Sequence, residues 1–64
     1  MNLSDLLAVL CKAEWVNRCA RQYIKRIGCT SEQAISYAEA SLDNVGGDLS
    51  VSPEDMCDED LTFW

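Results

Sequence analysis

The stretch SDLLAVLCKAEWVNRCARQYIKRI, residues 4–27, decides the fold, because it reads as one long amphipathic helix and holds every basic residue of the 64-residue chain. Leu6, Leu10, Ala13, Val16, Ala20, Ile24 and Ile27 recur at spacings of three and four, the pattern of a single buried stripe on a helix. Ser4 offers an N-cap with Asp5 in the first turn, where free N–H groups and the helix dipole favour a carboxylate. Gly28 ends the helix, since glycine takes the left-handed conformation that closes a C-terminus. Arg18, Arg21 and Lys25 form a basic ridge on the other side.

A second apolar row, Leu7, Cys11 and Trp15, lies roughly opposite the first at about 100° per residue. One neighbour does not cover both rows. Either a later segment of the chain wraps the second row, or another molecule does.

Downstream of Gly28, Thr30-Ser31-Glu32-Gln33 fits a capping box with Thr30 as N-cap and Gln33 reaching back. A second helix is expected to about Asn44, antiparallel to the first, burying Ala34, Ile35, Ala38, Ser41, Leu42 and Val45. Val45-Gly46-Gly47-Asp48 is the clearest break, and Leu49 and Val51 then read as an extended linker lying against the helices. Ser52-Pro53-Glu54-Asp55 starts a third, short helix, with serine at N-cap and proline at N1, running to about Leu61. Cys57, Leu61 and Trp64 share one side of it, flanked by Met56 and Phe63, while Glu54, Asp55, Asp58 and Glu59 take the other. Trp15 and Trp64 are expected to pack on each other and close the bundle. The fold class is all-α: a compact three-helix bundle forming a single domain over residues 1–64, with a long first helix, a second antiparallel helix and a short C-terminal helix.

A chain this short buries only about 60% of the surface that its unfolded form exposes. Its core is small, and a monomer or weak homodimer is the expected state. There is no secretion-signal pattern and no apolar run long enough to span a membrane, so a soluble protein of the cytoplasm is expected. Cys11, Cys19, Cys29 and Cys57 include no C-x-x-C pair, and the chain has no histidine, so zinc-ligand spacing is absent. In a reducing compartment they read as small buried hydrophobes.

No catalytic signature is present. The chain has no histidine to act as a base near neutral pH, no phosphate-cradling glycine loop, and in Asp55 to Asp60 no glycine turn or alternating oxygen ligands of a calcium loop. The expectation is a protein without enzymatic activity, cofactor or metal.

Charge is the informative feature. Residues 1–26 carry five basic and two acidic groups, whereas residues 27–64 carry nine acidic groups and none that are basic, which together give the net charge of −6. Nine carboxylates outnumber five cations, and exposed ion pairs are worth only about 0–1 kcal/mol each, so internal neutralisation does not account for the segregation. The expected partner-binding set is therefore Glu32, Glu39, Asp43, Asp48, Glu54, Asp55, Asp58, Glu59 and Asp60. Glu32, Glu39 and Asp43 fall within about 40° of each other on a helical wheel. Carboxylates on rigid helices, spaced by about 6 to 11 Å, suit the lysine and arginine sites of a protein that otherwise contacts phosphates.

The capped helices, the segment SYAEASLD at 36–43 and the acidic C-terminus SPEDMCDEDLTFW at 52–64 give the chain the look of small acidic helical proteins of bacteriophages. Among these it resembles the short anti-CRISPR proteins that act on type I systems. The resemblance implies a phage-encoded inhibitor in the host bacterial cytoplasm whose acidic face mimics DNA, docks on the DNA-contacting surface of a CRISPR effector subunit and excludes target DNA. Two other readings stand beside it. One is an acidic adaptor anchored on a protein partner by Leu7, Cys11 and Trp15, or by Phe63 and Trp64. The other is direct contact of Arg18, Arg21 and Lys25 with nucleic acid, which a net charge of −6 opposes.

Overall fold

The computed structural model describes residues 2–64 and consists of three helices: α1 (Leu3–Ile27), α2 (Ser31–Asn44) and α3 (Pro53–Leu61). Each boundary has a local chemical cause. Thr30 closes the capping box with Gln33, the two side chains and backbones bonding reciprocally. Ser52 caps α3 through the Asp55 N–H, with Pro53 at the first helical position. Gly28 at φ 68° closes α1, and Gly46 and Gly47 at φ 67° and 77° turn the chain after α2. The expected cap of α1 is corrected by two residues. Asn2, not Ser4, accepts the Asp5 N–H at 2.9 Å, and the helix starts at Leu3.

The three helices are unequal, and that inequality shapes the molecule. At 1.5 Å per residue α1 is about 37 Å long, α2 about 21 Å and α3 about 13 Å. The molecule is correspondingly elongated, 39 × 20 × 14 Å. The short helices both pack on the C-terminal half of α1, and residues 2–14, every one exposed, form its projecting half.

α2 runs back antiparallel along α1. α3 then lies parallel to α1 in a constant register, as shown by the bonds Trp15 to Val51, Arg18 to Glu54 and Gln22 to Asp58. Between the helices sit Trp15, Cys19, Ala20 and Tyr23 from α1, Ala34, Ala38, Ser41 and Leu42 from α2, and Pro53 and Cys57 from α3. Small Ala34 and Ala38 are completely buried, which lets α2 approach α1 closely.

This core corrects the expected inward stripe of α1. Ala20 is buried and Val16 half-buried, but Leu6, Leu10, Ala13, Ile24 and Ile27 are exposed. The buried face is instead Trp15, Cys19 and Tyr23, four residues apart, which carries the bulky side chains needed to fill the space between three helices. Trp15 is therefore wrapped by its own chain, its indole Nε1 donating to the Val51 carbonyl at 2.7 Å. The other two members of its row, Leu7 and Cys11, stay uncovered. Residues 48–51 form a turn, not an extended linker, with Val51 N–H bonded to the Asp48 carbonyl. Ile35 of α2 is exposed where burial was expected.

The two tryptophans do not meet in the expected pair. Trp64 stacks on Tyr23 at 6.0 Å between centroids and meets Tyr37 edge-on at 5.0 Å, while Tyr23 and Tyr37 are 5.5 Å apart. Trp64, still 62% exposed, lies over the C-terminal end of the core, and buried Trp15 fills the opposite end beside the turn between α2 and α3. All four cysteines are free thiols: Cys19 and Cys57 are buried, Cys29 is half-buried and Cys11 is exposed. No helix among the described residues is long and apolar enough to cross a membrane.

Candidate functional site

The nine carboxylates expected to bind a partner separate into three groups once the helices are packed. On α2, Glu32, Glu39 and Asp43 are all exposed, on the side away from buried Ala34, Ala38 and Ser41. Their positions along the axis are about 10 Å and then about 6 Å apart. Asp55 and Glu59 on α3 also face outward. Among the described residues, the ion pairs formed are Arg18 with Glu54 and Arg26 with Asp58, so these five outward carboxylates have no internal cation.

Asp48 is a local turn residue. It accepts both the backbone N–H of Ser50 at 3.0 Å and its hydroxyl at 2.6 Å, and these bonds, the hydroxyl's first, hold its carboxyl below the ordinary range.

Glu54, Asp58 and Asp60 fasten α3 to the rest of the protein. Arg18 engages Glu54 with two parallel bonds, from Nε at 3.0 Å and Nη2 at 2.9 Å, the planar fork that suits a carboxylate. Asp58 accepts Gln22 Nε2 at 3.0 Å and lies 3.8 Å from Arg26 Nε. Asp60 accepts the Tyr23 hydroxyl at 2.6 Å and the Trp64 indole N–H at 3.2 Å. The third helix thus has no simple outward acidic side. Glu54 and Asp58, expected among the solvent-facing acids, are half-buried against α1 because the basic ridge lies directly alongside them. Arg18 is thereby removed from the ridge, which leaves Arg21 and Lys25 exposed.

The Arg18 bonds hold the Glu54 carboxyl below its ordinary value of 4.5. A depressed folded pKa means that the unfolded chain binds the proton more readily, so this contribution is present above the ordinary value and is lost as pH falls through the folded one. Both side chains are substantially exposed, 50% and 38%, so the effect is limited to about 0.5–1 kcal/mol. We expect Glu54→Gln to be less stable than the wild type at pH 7 by about that amount and to converge with it at acid pH. Urea denaturation at the two pH values measures this, and a constant difference would show that the pair is not the origin.

Neither buried thiol supplies a nucleophile. Burial pushes Cys19 up to about 11 and Cys57 up to about 12, so both stay protonated at neutral pH. No group of three or more metal-ligating side chains is placed to hold an ion among the described residues.

A second surface is apolar. Leu3, Leu6, Leu7 and Leu10 form a stripe along the projecting half of α1, with Val9 beside it, and exposures run from 44% for Leu6 to 71% for Leu3. It leads into an open groove of about 420 Å³ where α1 meets α2, walled by Val9, Ala13, Val16 and Ile35, with Lys12 and Glu39 at the rim. Periodicity had assigned most of these side chains to the core. The available signal was length: a helix of about 37 Å has no partner over its full extent in a chain whose other helices are much shorter.

Comparisons with protein-family models, curated proteins and solved structures give no match.

Proposed function

We propose that this protein is a non-enzymatic inhibitor that acts by occupying a cationic, nucleic-acid-contacting surface on another protein. The observation that carries the reading is the row Glu32, Glu39 and Asp43, exposed on one rigid helix and in no ion pair among the described residues, supplemented by Asp55 and Glu59 on α3. Ordered carboxylates of this kind steer a basic surface toward them and lose affinity as salt is added. The row places three charges over about 16 Å, where duplex DNA places about ten. It therefore competes for a few lysine or arginine sites and does not reproduce a whole phosphate track. The resemblance to short anti-CRISPR proteins gives the concrete target class, the DNA-binding subunits of a type I CRISPR effector, in the cytoplasm of the host bacterium.

Reversing Glu32, Glu39 and Asp43 together to lysine is expected to weaken binding to such a subunit by about 100-fold or more. The same is expected for Asp55 and Glu59 if α3 faces the partner, and the helical circular dichroism of both variants should match the wild type. Full inhibition of target-DNA binding by both variants would remove the proposal.

The adaptor reading survives in altered form. Trp15 is unavailable as an anchor, being 3% exposed, but Leu7 and its neighbours on the projecting helix are accessible.

A further inference from the structure

The projecting half of α1 is built like a helix with a missing neighbour, and the geometry points to a second copy of this chain as that neighbour, lying antiparallel along Leu3, Leu6, Leu10 and Ala13. These four positions repeat at three and four residues and face away from the core positions Trp15, Cys19 and Tyr23. With Leu6 opposite Leu10 of the second copy, Leu3 comes opposite Ala13 of that copy, and by symmetry both pairs occur twice. Ala13 lines the groove between α1 and α2, so Leu3 of each copy enters the groove of the other, between Val9 and Ile35.

Charge selects both the partner and the direction. Residues 2–14 carry Asp5, Lys12 and Glu14, a net charge of −1, while residues 15–64 carry four basic and nine acidic groups, a net charge of −5. The projecting segment is the part of the surface where a second copy meets the least repulsion. In an antiparallel pair the two −5 bodies lie at opposite ends, beyond the screening length of about 8–10 Å. A parallel pair would set them side by side. Glu14 in the antiparallel pair comes level with the first turn of the other helix, where unpaired N–H groups favour a carboxylate.

The area sets the strength. Four half-exposed leucines and Val9 on each copy, with their smaller neighbours, give a contact on the order of 1,000 Å² in total, at the lower limit for a specific interface. The dimer is accordingly weak, with a dissociation constant in the micromolar range.

Sedimentation equilibrium between about 1 µM and about 1 mM tests this, because a micromolar dimer crosses its midpoint in that interval. The mass should rise from 7.1 kDa toward twice that value. Leu6→Glu with Leu10→Glu should move the midpoint at least about 100-fold higher while preserving the helical spectrum and cooperative melt, since neither side chain is in the core. Direction is read by cross-linking in a Cys11→Ser background: Leu7→Cys lies near the two-fold axis and should form a disulfide with its own copy, whereas Leu3→Cys should not. A chain that stays at 7.1 kDa throughout overturns the dimer, a midpoint indifferent to the two glutamates overturns the surface, and cross-linking through Leu3→Cys alone overturns the antiparallel arrangement. The dimer is read on the isolated chain and the inhibitor reading on target-DNA binding, so failure of the one and failure of the other are separable.

Discussion

Trp15→Ala is expected to unfold the protein. The indole is 3% exposed, and its Nε1 donates to the Val51 carbonyl at 2.7 Å, so one side chain packs against the core and also pins the turn between α2 and α3. Removing a large aromatic from a packed core costs about 3–5 kcal/mol. A chain of 64 residues has a total stability of only about 3–10 kcal/mol at typical values per residue. The variant should therefore show little helical signal or a broad, early melt at 25 °C. Trp15→Phe keeps most of the ring but leaves the Val51 carbonyl without its donor, and should cost about 1–3 kcal/mol while remaining folded. Leu10→Ala supplies the contrast: with its side chain 55% exposed and outside the bundle, it should change the monomer's stability by no more than about 0.5 kcal/mol. If Leu10→Ala proved the more damaging of the two alanine variants at a concentration where the chain is monomeric, the assignment of faces on α1 would be wrong.

That contrast marks the boundary of what could be read from residues alone. The caps at Thr30 and Ser52 and the stop at Gly28 were legible because each rests on contacts within four residues. The inward side of α2 was legible, apart from exposed Ile35, because it has only one apolar stripe. α1 has two, and periodicity cannot rank them. The choice depends on where the two short helices end, which is a property of the whole chain. Leu6 and Leu10 keep a helical period yet lie beyond the reach of α2 and α3, whereas Trp15, Cys19 and Tyr23 lie within it. The acidic row on α2 was visible in full, since none of its carboxylates forms an ion pair among the described residues. The α3 acids were only partly readable, because whether a carboxylate points to solvent or to Arg18, Gln22 or Tyr23 depends on the parallel register of α3 against α1. Asn2 in place of Ser4 is a subtler case. Both are good caps, and the bond from Asp5 N–H to Asn2 Oδ1 fixes which one acts.

Tyr23→Ala is expected to have an effect comparable to that of Trp15→Ala, for a different reason. Tyr23 is completely buried and, among the described residues, is the one side chain that bonds to both of the other helices. Its hydroxyl has a single proton. The 2.6 Å bond to Asp60 Oδ2 uses it, so Ser41 Oγ, 2.9 Å away, is the donor toward the tyrosine oxygen. A chain of donors then runs from Ser41 on α2 through Tyr23 on α1 to Asp60 on α3, where the Trp64 indole also converges. Burial and the Asp60 carboxylate both push the phenol above its ordinary pKa, so it stays protonated and able to donate. Deleting the ring removes this chain and the stacking platform of Tyr37 and Trp64, for an expected loss of about 3–5 kcal/mol. Tyr23→Phe separates the two contributions. It keeps the ring but leaves buried Ser41 without an acceptor and Asp60 with only the indole, and should cost about 1–3 kcal/mol, a fall in melting temperature of roughly 5–15 °C for a domain of this size. A double-mutant cycle with Asp60→Asn should return a coupling of about 1 kcal/mol or more, because the two groups share one proton across a low-dielectric boundary. If Tyr23→Phe melted within a degree of the wild type and the cycle closed at zero, the hydroxyl would be a passenger in an apolar core, and α3 would be held by Cys57 packing, the Arg18 fork and the contacts of Asp58 with Gln22 and Arg26.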